Sequence, residues 1–274
     1  MTKPKENIGR EDDGNKIRSS NTPRSNQEIS LKTRNEVARM RKACRLARSI
    51  LDDLKASITP GIATQYLEKT CESLVQGTGA RLALKGYRSF RNSVCTSVNH
   101  VAAHGVPGDY ILENGDVITV DVIVENDGWF GDCAWTYSVG NIDVDTRRLL
   151  KAAQLCTSAG IDAAKSGCRF GDIGAAIEET ARRHGCSVLD NFVGHGIGRT
   201  IHQDPMVLNT GEAGVGMPVV PGMVFTIEPI LCLGKPEVRT LTDGWSVVTR
   251  DSSRCAQFEH TIAIYSDETE VLTG

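Results

Sequence analysis

The feature that most constrains the fold is an order of elements that occurs twice along the chain. In each half, two helical patterns are followed by short runs rich in β-branched and aromatic residues. The segment 42–46 (KACRL) parallels 151–155 (KAAQL), and 67–70 (LEKT) parallels 177–180 (IEET) at nearly the same offset. Two matches in register indicate an internal duplication.

The duplication predicts an α/β (α+β) protein built from two pseudo-symmetric halves of helices and antiparallel strands. Helical periodicity covers 37–54 and 64–74 in the first half, and 149–164 and 173–181 in the second. No linker separates the two halves. We therefore expect a single domain over residues 31–274, with a site between the halves.

The first thirty residues differ from the rest of the chain in composition. Residues 1–30 are polar, mixed in charge and almost free of large apolar side chains. Such a segment cannot bury enough apolar surface to offset its ordering entropy, so we predict a flexible tail, with a docking role as the open alternative. Its acidic residues and its lack of an apolar core argue against a transit sequence or a signal peptide.

Charge and cysteine content exclude several classes of protein. The formal net charge is −3, and no basic stripe favours nucleic acid or an anionic membrane. The apolar runs are too short to span a membrane. The nine cysteines are odd in number and never paired as CxxC, which argues against a secreted disulfide framework or a structural zinc site. We therefore expect a cytoplasmic protein that does not enter a membrane.

Two β runs around the segment 126–128 (NDG) predict a hairpin, and each run carries one aspartate. If residues 126 and 127 form the turn, Asp121 lies opposite Asp132. If residues 127 and 128 form it, Asp132 faces Ile123 and lies diagonal to Asp121. Both registers place the two carboxylates on one face, where they repel each other unless a cation is bound. An Asp121 exposed to solvent on a half-exposed sheet remains the alternative.

Further acids and histidines lie in similar settings. His195 and His202 belong to a glycine-rich run, 194–202, whose backbone can come close to other groups. Imidazole is a common metal ligand, although each histidine could equally be a polar residue with ordinary hydrogen-bond partners. Glu228 and Glu259 each interrupt an apolar, strand-like run, and a buried acid needs a partner. Four acids and one histidine are better explained together, as a hydrolytic two-metal site, than as separate ion pairs.

The order and spacing of these groups resemble the five-ligand signature of the type I methionine aminopeptidases. The similarity runs from about Leu31 to the C-terminus and includes 97–105 (SVNHVAAHG), 194–198 (GHGIG) and 243–245 (DGW). It implies the pita-bread fold, with two pseudo-symmetric halves around a central dinuclear metal site. It also implies an activity, in which a metal-bridging hydroxide attacks the first peptide bond and releases the initiator Met of nascent proteins whose second residue is small.

The resemblance implies a role for each ligand. Asp121 would chelate one ion, Asp132 and Glu259 would bridge the pair, and His195 and Glu228 would complete the shell of the other ion. Glu228 would also act as the proton shuttle. The two divalent ions could be Co, Mn, Fe, Zn or Ni, since metal availability in the cell partly decides the choice.

The same resemblance implies the contacts with the substrate. His104 and His202 would contact the substrate amide and stabilise the tetrahedral intermediate. Four side chains are candidate walls of the methionine pocket: Tyr87, Phe90, Cys95 and Trp245. Three further histidines are interpreted as structural: His100, His184 and His260. The implied partner is the N-terminal Met of nascent chains near the ribosome, and the enzyme is expected to be a monomer.

The sequence departs from the family pattern in two respects. The sequence lacks the N-terminal zinc-binding Cys/His extension of eukaryotic cytosolic members, which predicts a bacterial or organellar type. Its polar tail is also longer than in the shortest bacterial members.

Two alternative functions share part of this pattern. A proline-specific relative would share the ligands but usually has a sizeable extra N-terminal domain. A catalytically dead binding protein would typically lose ligands, whereas all five are intact here with both auxiliary histidines.

Overall fold

The computed structural model describes residues 29–274, so the predicted tail of residues 1–30 lies almost entirely outside the described residues. Helices α1 to α4 span Arg34–Leu54, Thr64–Val75, Val144–Ala163 and Phe170–Arg183, and 3₁₀ turns lie at Lys55–Ser57 and Tyr87–Ser89. All four predicted helices are therefore present, two in each half of the chain.

The strands are short except for two. In chain order, β1 to β15 are Arg81–Leu82, Cys95–Val98, Val101–Ala103, Val117–Asn126, Trp129–Ser138, Ser187–Val188, Val193–Gly196, Gln203–Leu208, Val224–Ile227, Ile230–Cys232, Val238–Thr240, Val247–Thr249, Cys255–Gln257, His260–Ile264 and Thr269–Val271. All pairings between these strands are antiparallel, as the sequence predicts.

The first helix begins at a capping box. Thr33 accepts a hydrogen bond from the amide of Glu36, and the Glu36 carboxylate accepts one from the amide of Thr33. The apolar face of α1 is buried against the long hairpin formed by β4 and β5. The approach is so close that a Cβ added to Gly131 of β5 would lie 2.4 Å from the backbone nitrogen of Cys44. A glycine is therefore required where helix and sheet touch.

Helices α3 and α4 begin earlier than their apolar periodicity predicts. Helix α3 starts at Val144 because Asp143 accepts a hydrogen bond from the amide of Thr146, 2.7 Å away. Helix α4 starts at Phe170, where the Asp172 carboxylate accepts from the amide of Arg169 at 2.7 Å. Apolar periodicity marks the buried face of a helix, and the polar first turn lies outside that pattern.

Two sheets organise the halves. In the first half, the hairpin β4–β5 has β1 and β2 along the other edge of β4. In the second, the order is β15-β14-β9-β7-β8. Two smaller sheets, β13-β10-β6 and β11-β12-β3, join segments that are distant in sequence.

The hairpin adopts the second of the two registers that the sequence leaves open. Asn126 pairs with Trp129, so residues 127 and 128 form the turn, and both have positive φ, 53° and 74°. This is the backbone that a two-residue Asp-Gly turn favours. Ile123 consequently faces Asp132, and Asp121 lies diagonal to it.

Each half has its own apolar core, and the halves meet along β5. The core of the first half packs α1 and α2 on β4, and that of the second packs α3 and α4 on β9 and β14. Trp135 of β5 contacts both cores. Next to it, Thr136 donates to the carbonyl of Gln257 and accepts from its amide, at 2.7 and 2.9 Å. This seam places acidic residues of both halves side by side.

Among the helices of residues 29–274, none combines the length and the apolarity needed to cross a membrane.

Candidate metal centre

The long hairpin positions the first two carboxylates. Asp121 on β4 and Asp132 on β5 lie on one face of the sheet, as both predicted registers require. Asp132 is buried, and Thr261 of β14 holds its backbone by accepting from its amide at 3.2 Å and donating to its carbonyl at 2.8 Å. The carboxylate of the first half is thus fixed by the second half.

His195 is placed by a strand that only glycines allow to fit. A Cβ on Gly194 would lie 2.4 Å from the carbonyl oxygen of Thr226, and one on Gly196 would lie 2.2 Å from that of Asp204. Strand β7 is therefore pressed between β9 and β8. The close approach predicted for this glycine-rich run is confirmed, and it buries the His195 ring beside the carboxylates.

The two glutamates lie at breaks between strands. We predicted each as an acid embedded within a strand, which is wrong in detail. Glu228 falls between β9 and β10, and Glu259 between β13 and β14. At each break the chain passes from one sheet to another. Residues at such a break need not follow the alternation of a strand, so both side chains reach the cluster.

The His195 ring faces the carboxylates with an unprotonated nitrogen. Its Nδ1 lies 3.0 Å from the carbonyl oxygen of Gly196, which can only accept, so Nδ1 carries the hydrogen. Burial lowers the pKa of His195 to about 4, so the ring is neutral. Its Nε2 lone pair lies 3.7 Å from Asp132 Oδ2 and 3.5 Å from Glu228 Oε1. Lone pairs that face each other in this way favour a cation between them.

The carboxylates carry unmet hydrogen-bonding capacity. Asp121, Asp132 and Glu259 each have one buried oxygen without a hydrogen-bond partner among residues 29–274. Burial raises the pKa of Asp121 to about 6, and burial together with the charges of Asp121 and Glu228 raises the pKa of Asp132 well above its usual range. Burial and neighbouring charge likewise raise the pKa of Glu259. The cluster destabilises the metal-free protein, and a bound cation would relieve it.

These features fit a divalent metal ion. Ligand atoms of Asp132, His195 and Glu259 all lie within 4.8 Å of one another, close enough to share one ion. Asp121 and Glu228 border the same cavity, which has a volume of about 140 Å³. Carboxylate oxygens with one imidazole nitrogen form the donor set that first-row transition metals accept.

All eleven residues named from the sequence border this one cavity: Tyr87, Phe90, Cys95, His104, Asp121, Asp132, His195, His202, Glu228, Trp245 and Glu259. The sequence reasoning missed three further lining residues: Leu84, Arg88 and Ile123. Ile123 could have been found, since it shares a strand face with Asp121. Leu84 and Arg88 lie on a loop without periodicity, which offers no such signal.

One side of the cavity is apolar and the rim carries two histidines. Phe90 packs edge-on against Trp245, with ring centroids 5.0 Å apart. His104, which follows β3, has a positive φ of 54°. Burial, and to a lesser extent the nearby charge of Arg88, lowers the pKa of His104. A non-glycine residue in this conformation stores strain and is common at functional sites. The ring centroids of His202 and His195 are 4.2 Å apart.

The shifted acid of Glu228 predicts a pH dependence of stability for protein kept metal-free by a chelator. Burial raises the pKa of Glu228 to about 8. Its proton stabilises the folded state fully below the unfolded pKa of ~4.3, and this contribution is lost as pH rises through the folded pKa. We expect the urea midpoint of the metal-free protein to fall between pH values of about 6 and 8.

Glu228→Gln is the matched variant, because an amide of the same shape does not ionise. Its urea midpoint should fall less steeply over the same pH range than that of the wild type. An equally steep fall in the variant would show that Glu228 does not retain its proton in the folded, metal-free protein.

Comparison with known proteins places the chain in a family. The model of metallopeptidase family M24 matches residues 38–266. Methionine aminopeptidase A of Synechocystis is 44% identical over 246 residues, which cover 89% of this chain and 97% of that protein. Methionine aminopeptidase 1 of Bacillus subtilis is 41% identical over 245 residues, covering 89% and 99% of the two chains.

Comparison with solved structures gives the same family as the sequence comparisons. The crystal structure of methionine aminopeptidase from Rickettsia prowazekii superposes with a TM-score of 0.88 at 39% identity, covering 90% of this chain and all of that one. A prolidase of Pyrococcus horikoshii, at 20% identity, has a TM-score of 0.70, and this chain covers 63% of it, so it shows the shared fold alone. The fold is thus the pita-bread fold predicted from the sequence. The chain belongs to metallopeptidase family M24 and, within it, to the methionine aminopeptidases, which are metal-dependent aminopeptidases.

Proposed function

We propose that this chain releases the N-terminal Met from nascent proteins whose second residue is small, using two divalent ions held by its five clustered ligands. The observation that carries the proposal is the buried cluster itself. In a chain of this family, a neutral imidazole nitrogen lies within 3.7 Å of two carboxylate oxygens. Three other buried carboxylate oxygens, of Asp121, Asp132 and Glu259, have no hydrogen-bond partner among residues 29–274. Divalent cations bound at such a site polarise a peptide carbonyl and lower the pKa of water.

The placement of the ligands supports their assigned roles. We assign Asp132 and Glu259 to both ions, since they are the most buried acids and lie on the seam between the halves. His195 and Glu228 belong to one ion, because their ligand atoms lie 3.5 Å apart. Asp121, diagonal to Asp132 across the hairpin, belongs to the other.

Glu228 is also the proposed proton carrier. The Thr226 hydroxyl donates to its Oε1 at 2.7 Å, and the Gln257 amide donates to its Oε2 at 3.3 Å. These two bonds fix the plane of the carboxylate at the edge of the cavity. A fixed carboxylate can accept a proton from the attacking water and deliver it to the leaving amine with little reorganisation.

The rim and the apolar wall are assigned to the substrate. His104 and His202 are proposed to donate hydrogen bonds to the peptide carbonyl as negative charge develops on its oxygen. The methionine side chain is proposed to lie against Phe90, Cys95 and Trp245, joined by Ile123, which pack in one apolar cluster beside the acids. A wall of this kind suits a flexible thioether.

The compartment is proposed from thiol chemistry. All nine cysteines are free in the structure. Free thiols persist where the cell is reducing, and new proteins leave the ribosome there, so we place the reaction in the cytoplasm close to protein synthesis.

The test is a panel of short peptides given to the metal-reconstituted protein. We expect release of the first residue from Met-Ala and Met-Gly peptides, little from Met-Leu and none from Ala-Pro, and a chelator should stop it all. An N-acetylated Met-Ala peptide is the matched control and should resist cleavage. Cleavage of the Pro peptide alone would assign the chain to the proline-specific branch, and no cleavage of any peptide despite bound metal would refute the proposed activity.

A further inference from the structure

The family resemblance implies that Tyr87 forms part of the wall of a methionine pocket, and in the structure its hydroxyl also contacts a histidine of the same cavity. The Tyr87 Oη lies 2.7 Å from His202 Nδ1, and the two rings stack with centroids 5.4 Å apart and planes inclined by 21°. We propose that Tyr87 is a positioning residue that holds the His202 ring in one orientation and one tautomer. The inference rests on the function proposed above, in which His202 acts on the substrate carbonyl.

The turn that carries Tyr87 is strained. Gly86, Arg88 and Ser89 have positive φ values of 89°, 46° and 71°. Non-glycine residues rarely adopt the left-handed region, and two in succession persist there only when the surroundings enforce that conformation. Here the amide of Phe90 donates to the carbonyl of Tyr87, and the amide of Gly86 donates to the carbonyl of Phe90, both at 2.8 Å. The closed turn aims the Tyr87 ring across the cavity at His202.

The two aromatic residues of this turn therefore have different tasks. Phe90 is buried, has no polar atom on its ring and packs edge-on against Trp245 in the apolar wall. Tyr87 is only half-buried, and its polar atom is the one that touches the catalytic histidine. A residue that served only as an apolar wall would have no use for the hydroxyl.

The chemistry of the contact decides which atom donates. A phenol O–H is a stronger hydrogen-bond donor than a neutral imidazole N–H, and an unprotonated imidazole nitrogen is a better acceptor than a phenol oxygen. The Tyr87 hydroxyl therefore donates to His202 Nδ1. When the His202 ring carries a single hydrogen, that hydrogen is then on Nε2, which makes this nitrogen a hydrogen-bond donor. This is the form needed to stabilise an oxyanion.

The kinetic test is a double-mutant cycle on the metal-loaded enzyme with a Met-Ala peptide. Tyr87→Phe removes the hydroxyl and keeps the ring, and we expect kcat to fall by about 10-fold, the scale of losing a partner that orients a functional histidine. KM and bound metal should be nearly unchanged. In a His202→Ala background, the same change should alter kcat by less than about 2-fold, because its effect passes through His202.

Tyr110→Phe is the matched control. The Tyr110 hydroxyl donates to Asp116 at 3.1 Å, outside the metal cavity, so its loss should leave kcat unchanged. A fall of about 10-fold caused by Tyr87→Phe in the His202→Ala background as well would show independent action and overturn the inference.

A spectroscopic test separates this inference from the proposed function, since it needs no turnover. Histidine labelled with ¹⁵N in the ring reports by NMR which nitrogen carries hydrogen, and the His202 signals are those absent from the His202→Ala sample. In the chelated wild type we expect hydrogen on Nε2, and in Tyr87→Phe a mixture of tautomers. Identical His202 spectra for the two proteins, or hydrogen on Nδ1 in the wild type, would refute the role of Tyr87 whatever the peptide assay shows.

Discussion

Asp132→Asn is expected to abolish Met release while it makes the metal-free protein more stable. The activity should fall by at least ~10³-fold, since the variant loses a ligand assigned to both ions and with it the electrostatic centre of the reaction. Ligand atoms of Asp132, His195 and Glu259 all lie within 4.8 Å of one another. An amide of the same size retains the packing but offers no negative oxygen, so metal content measured after dialysis should fall as well.

The gain in stability follows from the same cluster. Without a cation, the folded chain must keep several buried acids together, and one Asp132 oxygen has no hydrogen-bond partner among residues 29–274. The raised pKa of Asp132 shows that its ionised form is disfavoured there. Removing its charge relieves this, and each ~1 kcal/mol gained should raise the Tm of the chelated protein by roughly 2–4 °C. Added metal should stabilise the wild type more than the variant.

Asp116→Asn is the matched control, because Asp116 is also a buried carboxylate but has hydrogen-bond partners for both oxygens. It accepts from the Asn99 amide at 2.7 Å, from the Tyr110 hydroxyl at 3.1 Å and from the amide of Glu113 at 2.9 Å. Its replacement should lower the Tm and leave metal binding intact. If Asp132→Asn lowered the Tm of the metal-free protein as Asp116→Asn does, the carboxylate would be a structural group and not one of a destabilised ligand cluster.

Short-range sequence patterns were enough to find the segments that carry the proposed ligands. The hairpin around residues 126–128 places Asp121 and Asp132 on one face in either register, so the pairing of these two acids did not depend on knowing the turn. The true register follows from the positive φ of Asp127 and Gly128, a preference of the backbone that the sequence alone left undecided. Local chemistry thus predicted the element and the face, and the turn decided the partner.

Long-range contacts explain what could not be predicted. Glu259 reaches the site because its amide donates to the carbonyl of Ala134 at 2.9 Å, a bond between two halves of the chain. The hydroxyl of Tyr87 meets His202 across 115 positions of sequence. No periodicity encodes such pairs, because they depend on how the two halves of the chain pack against each other. The family resemblance implied that Tyr87 is part of a pocket wall, and only the folded structure shows that its hydroxyl contacts His202.

The second large effect is expected for the loss of His202, which reaches the cavity through the same packing of the two halves. In His202→Ala, kcat should fall by about 10²-fold or more, the scale of removing one preorganised donor to a developing oxyanion. Metal content should stay nearly unchanged, because His202 is not one of the five proposed ligands and does not belong to the close group of Asp132, His195 and Glu259. Its ring nevertheless lies 4.2 Å from that of His195, so a direct ligand role must be tested.

The ratio of metal to protein after dialysis, measured beside kcat, decides between the two roles of His202. His184→Ala, at the C-terminal end of α4 and outside the cavity, is the control and should change neither quantity. Loss of one metal equivalent in His202→Ala would make His202 a ligand. Full metal content with an unchanged kcat would leave His104 as the rim histidine that carries the stabilisation, because it borders the same cavity and its left-handed backbone is strained. A fall in kcat with the metal retained is the result that a donor outside the coordination shell requires.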